Sequence, residues 1–484
     1  MRMFNLKTLT PISALLLSAS FAAWAQTPPS KPPAAPPTLS YSKELHDQLA
    51  AVRDAALTSD YAWHQLAHLT ENIGPRPSGS PQAQAAAEYV AAEMRKLGLE
   101  VRLEPAQVSH WIRGEEKAQL VEYPGQVPET TQRIVLAVIS GSSATPAEGI
   151  TAEIVVVHNF AELTALGREK VAGKIVVFNV PYDERKALAG MSFEAYGEAV
   201  VYRGRGAKAA AELGAAASLV RSVGGADYRL PHTGYSAPAG IPAAALAAED
   251  AELIEHLAAQ GRVRMHLTLT PQSLPEVTGY NVVADLKGSE HPEQIVVVSG
   301  HLDSWDLGRG AIDDGGGLVI SMAAAEVLQR LHLRPRRTLR VIAWMDEENG
   351  GGGNKAYAKA HAAEFSNHIA AIESDAGVAH PLGFYLKMPP AAIAALRPLA
   401  DILRPVGATV FRWSEYSPGS DIDPLVEAGV PGIGIMADGR KYFDYHHTAA
   451  DTLDKVDPQE LRENAAAMAV MAYALAAMPD ALPR

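Results

Sequence analysis

The sequence predicts an α/β protein with a mixed, mostly parallel sheet flanked by helices, into which a second α/β module is inserted. Three apolar runs rich in β-branched residues, 295–298, 338–345 and 368–372, indicate the main sheet, and each is followed by acidic residues. Such continuous apolar runs are typical of strands that are buried on both faces of a parallel sheet. From about residue 125 to residue 270 the pattern changes to short β-like runs and separate helices, and the first pattern returns after Pro275.

The segment from about Ser42 to Leu97 is predicted to be helical in two or three pieces. Ser80-Pro81 marks the start of the last helix, because Ser is a favoured N-cap and Pro is favoured in the first turn. Gly98 ends this helix, and a strand is expected to begin at Leu99. Arg76 lies in the turn before the helix, where we interpret it as an arginine that ties a loop, with carboxylate binding as the alternative.

Residues 1–25 have the features of a secretory signal peptide. A weakly basic start precedes an apolar segment from about Ile12 to Trp24, and Ala23-Trp24-Ala25 is a small-x-small cleavage site. A membrane anchor is the alternative, but the apolar segment is too short to span a bilayer comfortably. We therefore expect a secreted or periplasmic protein without a membrane span. The Pro-rich residues 26–41 are predicted to be a linker.

Three parts follow the predicted linker. Residues 42–124 are assigned to the N-terminal part of the main domain, residues 125–270 to the inserted module, and residues 271–484 to the second part of the main domain. Hydrophobic residues make up 48% of the chain and charged residues 20%, which fits a globular protein with a sizeable core. The inserted module has strands, helices and turns of its own, so we expect the main domain to bind its ligands without it.

Charge and cysteine content argue against several function classes. The 42 basic and 55 acidic residues give a formal net charge of −13. A nucleic-acid partner is not expected, because phosphate binding needs concentrated basic charge. The chain has no cysteine, which excludes disulfides and thiolate metal sites. The oligomeric state is not fixed by the sequence, and a homodimer is compatible with it.

Acidic residues and histidines gather where the predicted strands end. The motifs are, in chain order, His301-x-Asp303, Asp313-Asp314, Asp346-Glu347-Glu348-Asn349, Glu373-Ser374-Asp375 and His446-His447. Ligands of open α/β sheets collect at the carboxyl ends of the strands. Acidic groups at one sheet edge repel one another unless a cation neutralises them. A solvated acidic loop is the alternative for any one motif alone, but the set predicts a metal site.

The residue types favour zinc. The candidate ligands are His301, Asp313, Glu348, Asp375 and His447. Two imidazoles with carboxylates suit zinc better than magnesium or calcium, which prefer oxygen ligands. Five side chains are too many for one tetrahedral site and suit two Zn2+ ions per chain with one bridging carboxylate. Glu347 is then free to act as a general base, and the carboxylate of Asp303 can accept a hydrogen bond from the His301 ring.

Other candidate motifs are weaker. His158 and His232 are isolated histidines without ligand spacing, and we interpret both as structural. The chain has no Gly-x-Ser-x-Gly nucleophile elbow, and Gly419-Ser420-Asp421 is only a weak hint of one.

The ordered motifs resemble those of the co-catalytic di-zinc aminopeptidase family, which includes bacterial leucyl aminopeptidases, glutamate carboxypeptidase and carboxypeptidase Q. The motifs that carry the resemblance are His301-x-Asp303, Asp313-Asp314-x-Gly316, Glu347-Glu348-x-x-Gly351, Asp375 and His447-Thr448-x-x-Asp451-Thr452. The resemblance covers roughly residue 42 to the C-terminus. The inserted module resembles a protease-associated domain, and its position is most like that in the carboxypeptidase Q members of the family.

The resemblance implies a zinc exopeptidase fold and a role for each motif. His301 and Asp375 would bind one zinc ion, and Glu348 and His447 the other. Asp313 would bridge them, with a cis Asp313-Asp314 peptide. Glu347 would be the general base that acts with a zinc-bound hydroxide, and Asp303 would orient His301. We choose His447 over His446 because the ligand of the family directly precedes the threonine.

The implied activity is that of a secreted exopeptidase, an aminopeptidase or dipeptidase, whose partner is a peptide or dipeptide substrate. One alternative is a carboxypeptidase of the glutamate carboxypeptidase type, for which Arg404, Arg412 and Arg440 are candidate binders of a terminal carboxylate. The other alternative is a catalytically inactive, receptor-like relative.

Overall fold

The computed structural model describes residues 41–484. The predicted signal peptide and all but the last residue of the predicted linker lie outside these residues. The strands in the described part are β1 (Glu100–Ile112), β2 (Glu116–Glu122), β3 (Gln132–Ile134), β4 (Leu136–Val138), β5 (Ile150–Val157), β6 (Ile175–Phe178), β7 (Ala217–Arg221), β8 (Ala243–Leu246), β9 (Arg264–Leu269), β10 (Gln272–Leu286), β11 (His291–His301), β12 (Arg337–Trp344), β13 (His368–Glu373), β14 (Pro381–Lys387), β15 (Val410–Trp413) and β16 (Gly432–Ala437).

The α-helices in the same residues are α1 (Lys43–Leu57), α2 (Tyr61–Ala67), α3 (Pro81–Lys96), α4 (Phe160–Val171), α5 (Glu184–Leu188), α6 (Ser192–Glu212), α7 (Ala248–Gln260), α8 (Gly316–Arg330), α9 (Gly352–His361), α10 (Pro390–Leu396), α11 (Leu399–Leu403), α12 (Asp423–Glu427), α13 (Tyr442–Tyr445) and α14 (Pro458–Ala477). As predicted, α3 starts after Ser80, whose hydroxyl accepts a hydrogen bond from the N–H of Ala83 at 3.1 Å. No helix in residues 41–484 is long and apolar enough to cross a membrane.

The first sheet has the strand order β1-β10-β12-β11-β13-β16-β14-β15. Its central strands β12, β11, β13 and β16 are parallel neighbours, whereas β10 pairs antiparallel with β12, and β14 antiparallel with β16. Every residue of β12 and β13 is buried. The apolar segments 341–344 and 369–372 fit strands that are covered on both faces, and the polar residues Arg337, Thr338 and Arg340 of β12 are buried as well. α8 and α14 pack against this sheet and against each other. The predicted mixed, mostly parallel α/β sheet flanked by helices is confirmed.

The second sheet has the order β3-β2-β9-β5-β6-β7-β8-β4 and is formed by residues between 116 and 269. β2 belongs to it, so the second sheet starts before the predicted boundary at residue 125. The chain crosses from the first sheet at Gly114, whose φ is +71° and whose added Cβ would lie 2.1 Å from the carbonyl oxygen of Thr270. The outgoing and returning chains therefore lie side by side, and the turn at Pro124-Gly125 only leads from β2 towards β3.

Candidate metal centre

The predicted site residues lie at the edge of the first sheet where its parallel strands end. Their positions are His301 at the end of β11, Asp313 in the turn before α8 (Ala311–Gly315), Glu347 and Glu348 after β12, Asp375 after β13, and His447 after α13. Because β11, β12, β13 and β16 run in the same direction, the segments that follow them start at one edge of the sheet. The topology therefore explains why residues more than a hundred positions apart in sequence can meet.

Two groups of potential ligand atoms share Asp313. In the first group, His301 Nε2 lies 3.1 Å from Asp313 Oδ1 and 3.6 Å from Asp375 Oδ1. In the second group, His447 Nε2 lies 3.2 Å from Asp313 Oδ2 and 3.0 Å from Glu348 Oε2. Within each group the ligand atoms lie within 4.8 Å of one another. The structure thus brings all five candidate ligands together, and the two oxygens of Asp313 face different groups.

The buried oxygen atoms of this centre fit cations. Asp313 is 4% exposed and Glu348 is 7% exposed, yet Asp313 Oδ2 and Glu348 Oε1 accept no hydrogen bond from the described residues. Buried carboxylate oxygens without a donor are costly unless a cation satisfies them. A cavity of about 10 Å³ is lined by Asp313, Glu348 and His447 among others, which is about the room that one water molecule or small ion takes.

The ionisable groups of the centre lie close enough to shift one another's pKa. Burial raises the pKa of Glu348 to about 8, and the nearby charge of Asp313 adds to the effect. Burial also raises the pKa of Glu347 to about 7, with a further contribution from Asp375. Burial opposes a charge on His447, but the charge of Glu348 and the contact with Asp313 raise its pKa well above the usual value. Divalent cations bound among these groups would remove the repulsion between the carboxylates.

The two neighbouring histidines differ in their contacts. His447 Nε2 belongs to the group with Asp313 and Glu348, and the backbone of His447 has a φ of +58°, which is uncommon for a residue with a side chain. His446 Nδ1 instead lies 3.0 Å from His232 Nε2, and its own Nε2 is 3.4 Å from Asp313. These contacts favour His447 as the ligand.

Comparison with known proteins places these residues in a family. The model of Peptidase family M28 matches residues 281–472, which contain all five candidate ligands. Carboxypeptidase Q of Xenopus laevis is 40% identical over 429 residues, which cover 87% of this chain and 87% of that protein. The chain belongs to peptidase family M28. The resemblance that its motifs show to this family and to carboxypeptidase Q is confirmed.

Solved structures support membership of family M28. A crystal structure of a peptidase M28 precursor from Shewanella amazonensis SB2B is 34% identical and superposes with a TM-score of 0.85, covering 91% of this chain and 98% of that one. BSAP, a zinc aminopeptidase from Bacillus subtilis, is 21% identical with a TM-score of 0.64, covering 87% of this chain and 96% of that one. The second comparison shows the shared fold.

Within this M28 site, Asp303 contacts different groups from those predicted. His301 Nδ1 lies 2.9 Å from the backbone carbonyl of Asp303, whereas the carboxylate Oδ1 is 3.9 Å away. The carboxylate instead accepts hydrogen bonds from the N–H groups of residues 346–348, at 2.8, 3.2 and 3.4 Å, and from the Ser78 hydroxyl at 2.9 Å. The turn after β12 directs three N–H groups at one carboxylate, which is a favourable anion position. The side chain of Asp303 therefore holds the loop of Glu347, and its backbone orients His301.

Two buried residues hold the turns that carry the ligands. Arg76 is fully buried, and its guanidinium donates to the backbone carbonyls of Leu69, Gly74, Leu302, Arg309 and Gly310. It ties loops, as the sequence predicts.

The carboxylate of Asp451 accepts hydrogen bonds from the N–H groups of residues 311–313 at 2.8, 2.6 and 3.3 Å. Asp451 thus fixes the turn in which Asp313 lies.

The segment between β7 and β8 of the second sheet contributes contacts that the sequence does not reveal. The backbone carbonyl of Thr233 lies 3.2 Å from His447 Nδ1. A hydrogen bond from Nδ1–H to this carbonyl leaves Nε2 free to bind a metal. Arg203 donates to the same carbonyl at 3.0 Å, and His232 contacts His446 rather than lying apart as an isolated histidine. A carbonyl oxygen has no sequence signature, so only the structure identifies Thr233.

Proposed function

We propose that this chain is a secreted di-zinc exopeptidase that removes N-terminal residues from peptides or splits dipeptides. The observation that carries the proposal is that two groups of candidate ligands share Asp313. The carboxylate of Glu347, which is next to Glu348 in the sequence, belongs to neither group and can act as a base. The complete set of five ligands and a base argues against an inactive, receptor-like relative. Membership of family M28 supports peptide bonds as the substrate class.

The donor set suits two zinc ions. His301 and Asp375 would hold one ion, Glu348 and His447 the other, and Asp313 would bridge them. Imidazole and carboxylate ligands without cysteine are typical of catalytic zinc sites. Two zinc ions in such a site polarise a substrate carbonyl and make water more acidic.

Glu347 is the proposed general base. Glu347 is partly exposed, whereas the adjacent Glu348 is buried and its carboxylate lies 3.0 Å from His447 Nε2. Glu347 would accept a proton from the water that attacks the peptide carbonyl and pass it to the departing amine as the C–N bond breaks. Its backbone N–H donates to Asp303 at 3.2 Å, so the loop is held while the side chain exchanges the proton.

The predicted binders of a terminal carboxylate give little support to the carboxypeptidase alternative. Two of the arginines that could bind a terminal carboxylate are paired, Arg404 with Asp401 and Arg440 with Asp438.

Turnover and metal content measured on the same samples test the base and the ligands. Glu347→Gln should keep two zinc ions and lose ~10²–10⁴-fold in kcat, the usual contribution of a general base. Glu348→Gln is the matched control, because the same chemical change one residue away should instead weaken one zinc site. Full zinc with near-normal turnover in Glu347→Gln would refute the base, and one zinc or less per reconstituted chain would refute the two-metal centre.

Substrates with a free or a blocked amino group test the direction of cleavage. We expect hydrolysis of dipeptides and aminoacyl anilides and no hydrolysis of the same dipeptides after N-acetylation. Efficient hydrolysis of N-acetylated dipeptides would support the carboxypeptidase alternative instead.

Export and the insert complete the proposal. We infer cleavage after Ala25, so that the exported protein starts at Gln26, and N-terminal sequencing of protein from the medium or periplasm tests this position. We assign the second sheet to a protease-associated module, a view that its resemblance in sequence supports. The contact of Thr233 with His447 supports a role of this module beside the active site.

A further inference from the structure

A loop after β15, residues 414–421, brings a hydroxyl group to the proposed base. Ser420 Oγ donates to Glu347 Oε1 at 2.6 Å. Ser420 is exposed and belongs to neither ligand group. We propose that Ser420 is a positioning residue that holds the Glu347 carboxylate in the orientation in which it receives a proton from water. This inference rests on the proposed function of Glu347.

The strand β13 holds one side of this loop. Glu373, the last residue of β13, is fully buried and accepts hydrogen bonds from the N–H groups of Asp421 at 3.3 Å and Ile422 at 2.9 Å. At Gly419 the loop approaches so closely that an added Cβ would lie 2.5 Å from the Glu373 carboxyl carbon. The backbone beside Ser420 is therefore fixed against the sheet, and glycine permits that close approach.

The helix α9 holds the other side. Asn354, in the first turn of α9, donates its side-chain N–H to the carbonyl of Ser420 at 3.1 Å. This helix begins directly after the loop that carries Glu347. The position of the Ser420 backbone is thus set by Glu373 and Asn354, independently of the hydrogen bond to the base. A hydroxyl held in this way orients its partner at a small further loss of conformational entropy.

The Glu347 side chain needs such a partner. Asp303 fixes only its backbone N–H, and a glutamate side chain has three rotatable bonds. Among the described residues, Ser420 is the one donor to the Glu347 carboxylate, and it contacts Oε1 alone. The other oxygen, Oε2, remains free to accept a proton. A hydrogen bond to an ionised carboxylate is stronger than one between neutral groups.

Three variants test the role of the hydroxyl. Ser420→Ala should lower kcat about tenfold while KM and zinc content stay unchanged, because a hydrogen bond to a charged group is lost. Ser420→Thr keeps the hydroxyl and should restore most of kcat. Ser414→Ala is the matched control, since the Ser414 hydroxyl lies in the same loop but donates to the carbonyl of Tyr416 at 2.8 Å. It should leave kcat unchanged.

The same substitution in a Glu347→Gln background shows whether Ser420 acts through the base. Ser420→Ala should cause no further loss there, because residues that act as a unit are not additive. An equal tenfold loss in both backgrounds, a change confined to KM, or a normal kcat in Ser420→Ala would overturn the proposal. If Glu347→Gln itself keeps full turnover, the proposed function of the base fails. If Glu347→Gln is inactive while Ser420→Ala is normal, only the role of Ser420 fails.

Discussion

Replacing Asp303 by asparagine tests the role of the Asp303 carboxylate separately from the role of its backbone carbonyl. The backbone carbonyl that contacts His301 remains in Asp303→Asn, whereas the carboxylate that holds the loop of Glu347 and Glu348 is lost. We therefore expect the variant to damage the base and the Glu348 zinc site and to spare the His301 zinc site.

The structure gives the size of the effect. Oδ1 accepts hydrogen bonds from the N–H groups of residues 346 and 347, and Oδ2 accepts those of the Ser78 hydroxyl and the Glu348 N–H. An asparagine oxygen can keep one pair, but its amide group then faces a backbone N–H that loses its acceptor. Leaving a buried N–H unsatisfied costs about 1–3 kcal/mol, and the remaining bonds lose their charge, so we expect a free energy of unfolding about 2–4 kcal/mol lower. A displaced base can cost ~10²-fold in kcat.

Urea unfolding, kcat and zinc affinity from chelator competition measure these effects. The decisive comparison uses Glu348→Gln, in which the ion at the His301 site is the more tightly held. Adding Asp303→Asn to Glu348→Gln should leave the affinity for that ion unchanged, because His301 depends on the backbone carbonyl. A further loss of tenfold or more would show that the Asp303 carboxylate supports His301 after all, and the reasoning would be refuted.

Two further predictions concern the insert and the core. Gly234→Ala should lower the zinc affinity of the proposed His447 site about tenfold, as measured by chelator competition. The added Cβ would lie 2.4 Å from the guanidinium carbon of Arg203 and displace this group from the Thr233 carbonyl. Gly240→Ala is the control, because Gly240 also has a positive φ but no such neighbour, and it should leave the zinc affinity unchanged. Burial lowers the pKa of His368 to about 4, whereas in the unfolded chain its pKa should be about 6.5. Between these two pH values the unfolded chain binds a proton that the folded chain does not, so the free energy of unfolding should fall as the pH drops from 6.5 towards 4. In His368→Gln, the slope of the unfolding free energy over this range should be smaller by about 1.4 kcal/mol per pH unit, and an unchanged slope would contradict the assignment.

The main sheet and the side chains that meet at its edge could be predicted because their signals are local. A strand that is buried on both faces needs a mostly apolar sequence, and residues 341–344 of β12 and 369–372 of β13 are apolar throughout. A polar ligand can follow such a strand only where it ends, which is where Glu348 and Asp375 lie. The choice of His447 over His446 depends on the family resemblance, because the ligand of the family directly precedes the threonine.

Other features depend on contacts that no local pattern reveals. The sequence is compatible with a contact between the Asp303 carboxylate and the His301 ring. In the structure, the turn after β12 presents three N–H groups that bind this carboxylate instead. The crossing between the sheets at Gly114 has no cluster of turn residues, whereas Pro124-Gly125 within the second sheet does. The contact of Thr233 with His447 involves a backbone atom of the insert, so the main domain does not fix this candidate ligand alone.

The hydrogen bonds between Asp451 and the turn of Asp313 have a consequence for biosynthesis. The hydrogen bonds join residues 138 to 140 positions apart, and the later partner lies near the C-terminal end of the chain. A ribosome releases the segment of Asp313 long before it makes Asp451, so these hydrogen bonds cannot form during most of synthesis. Chains that stop before Asp451 should lack a stable pair of metal positions. Loading of the proposed centre with metal would then require synthesis at least as far as Asp451.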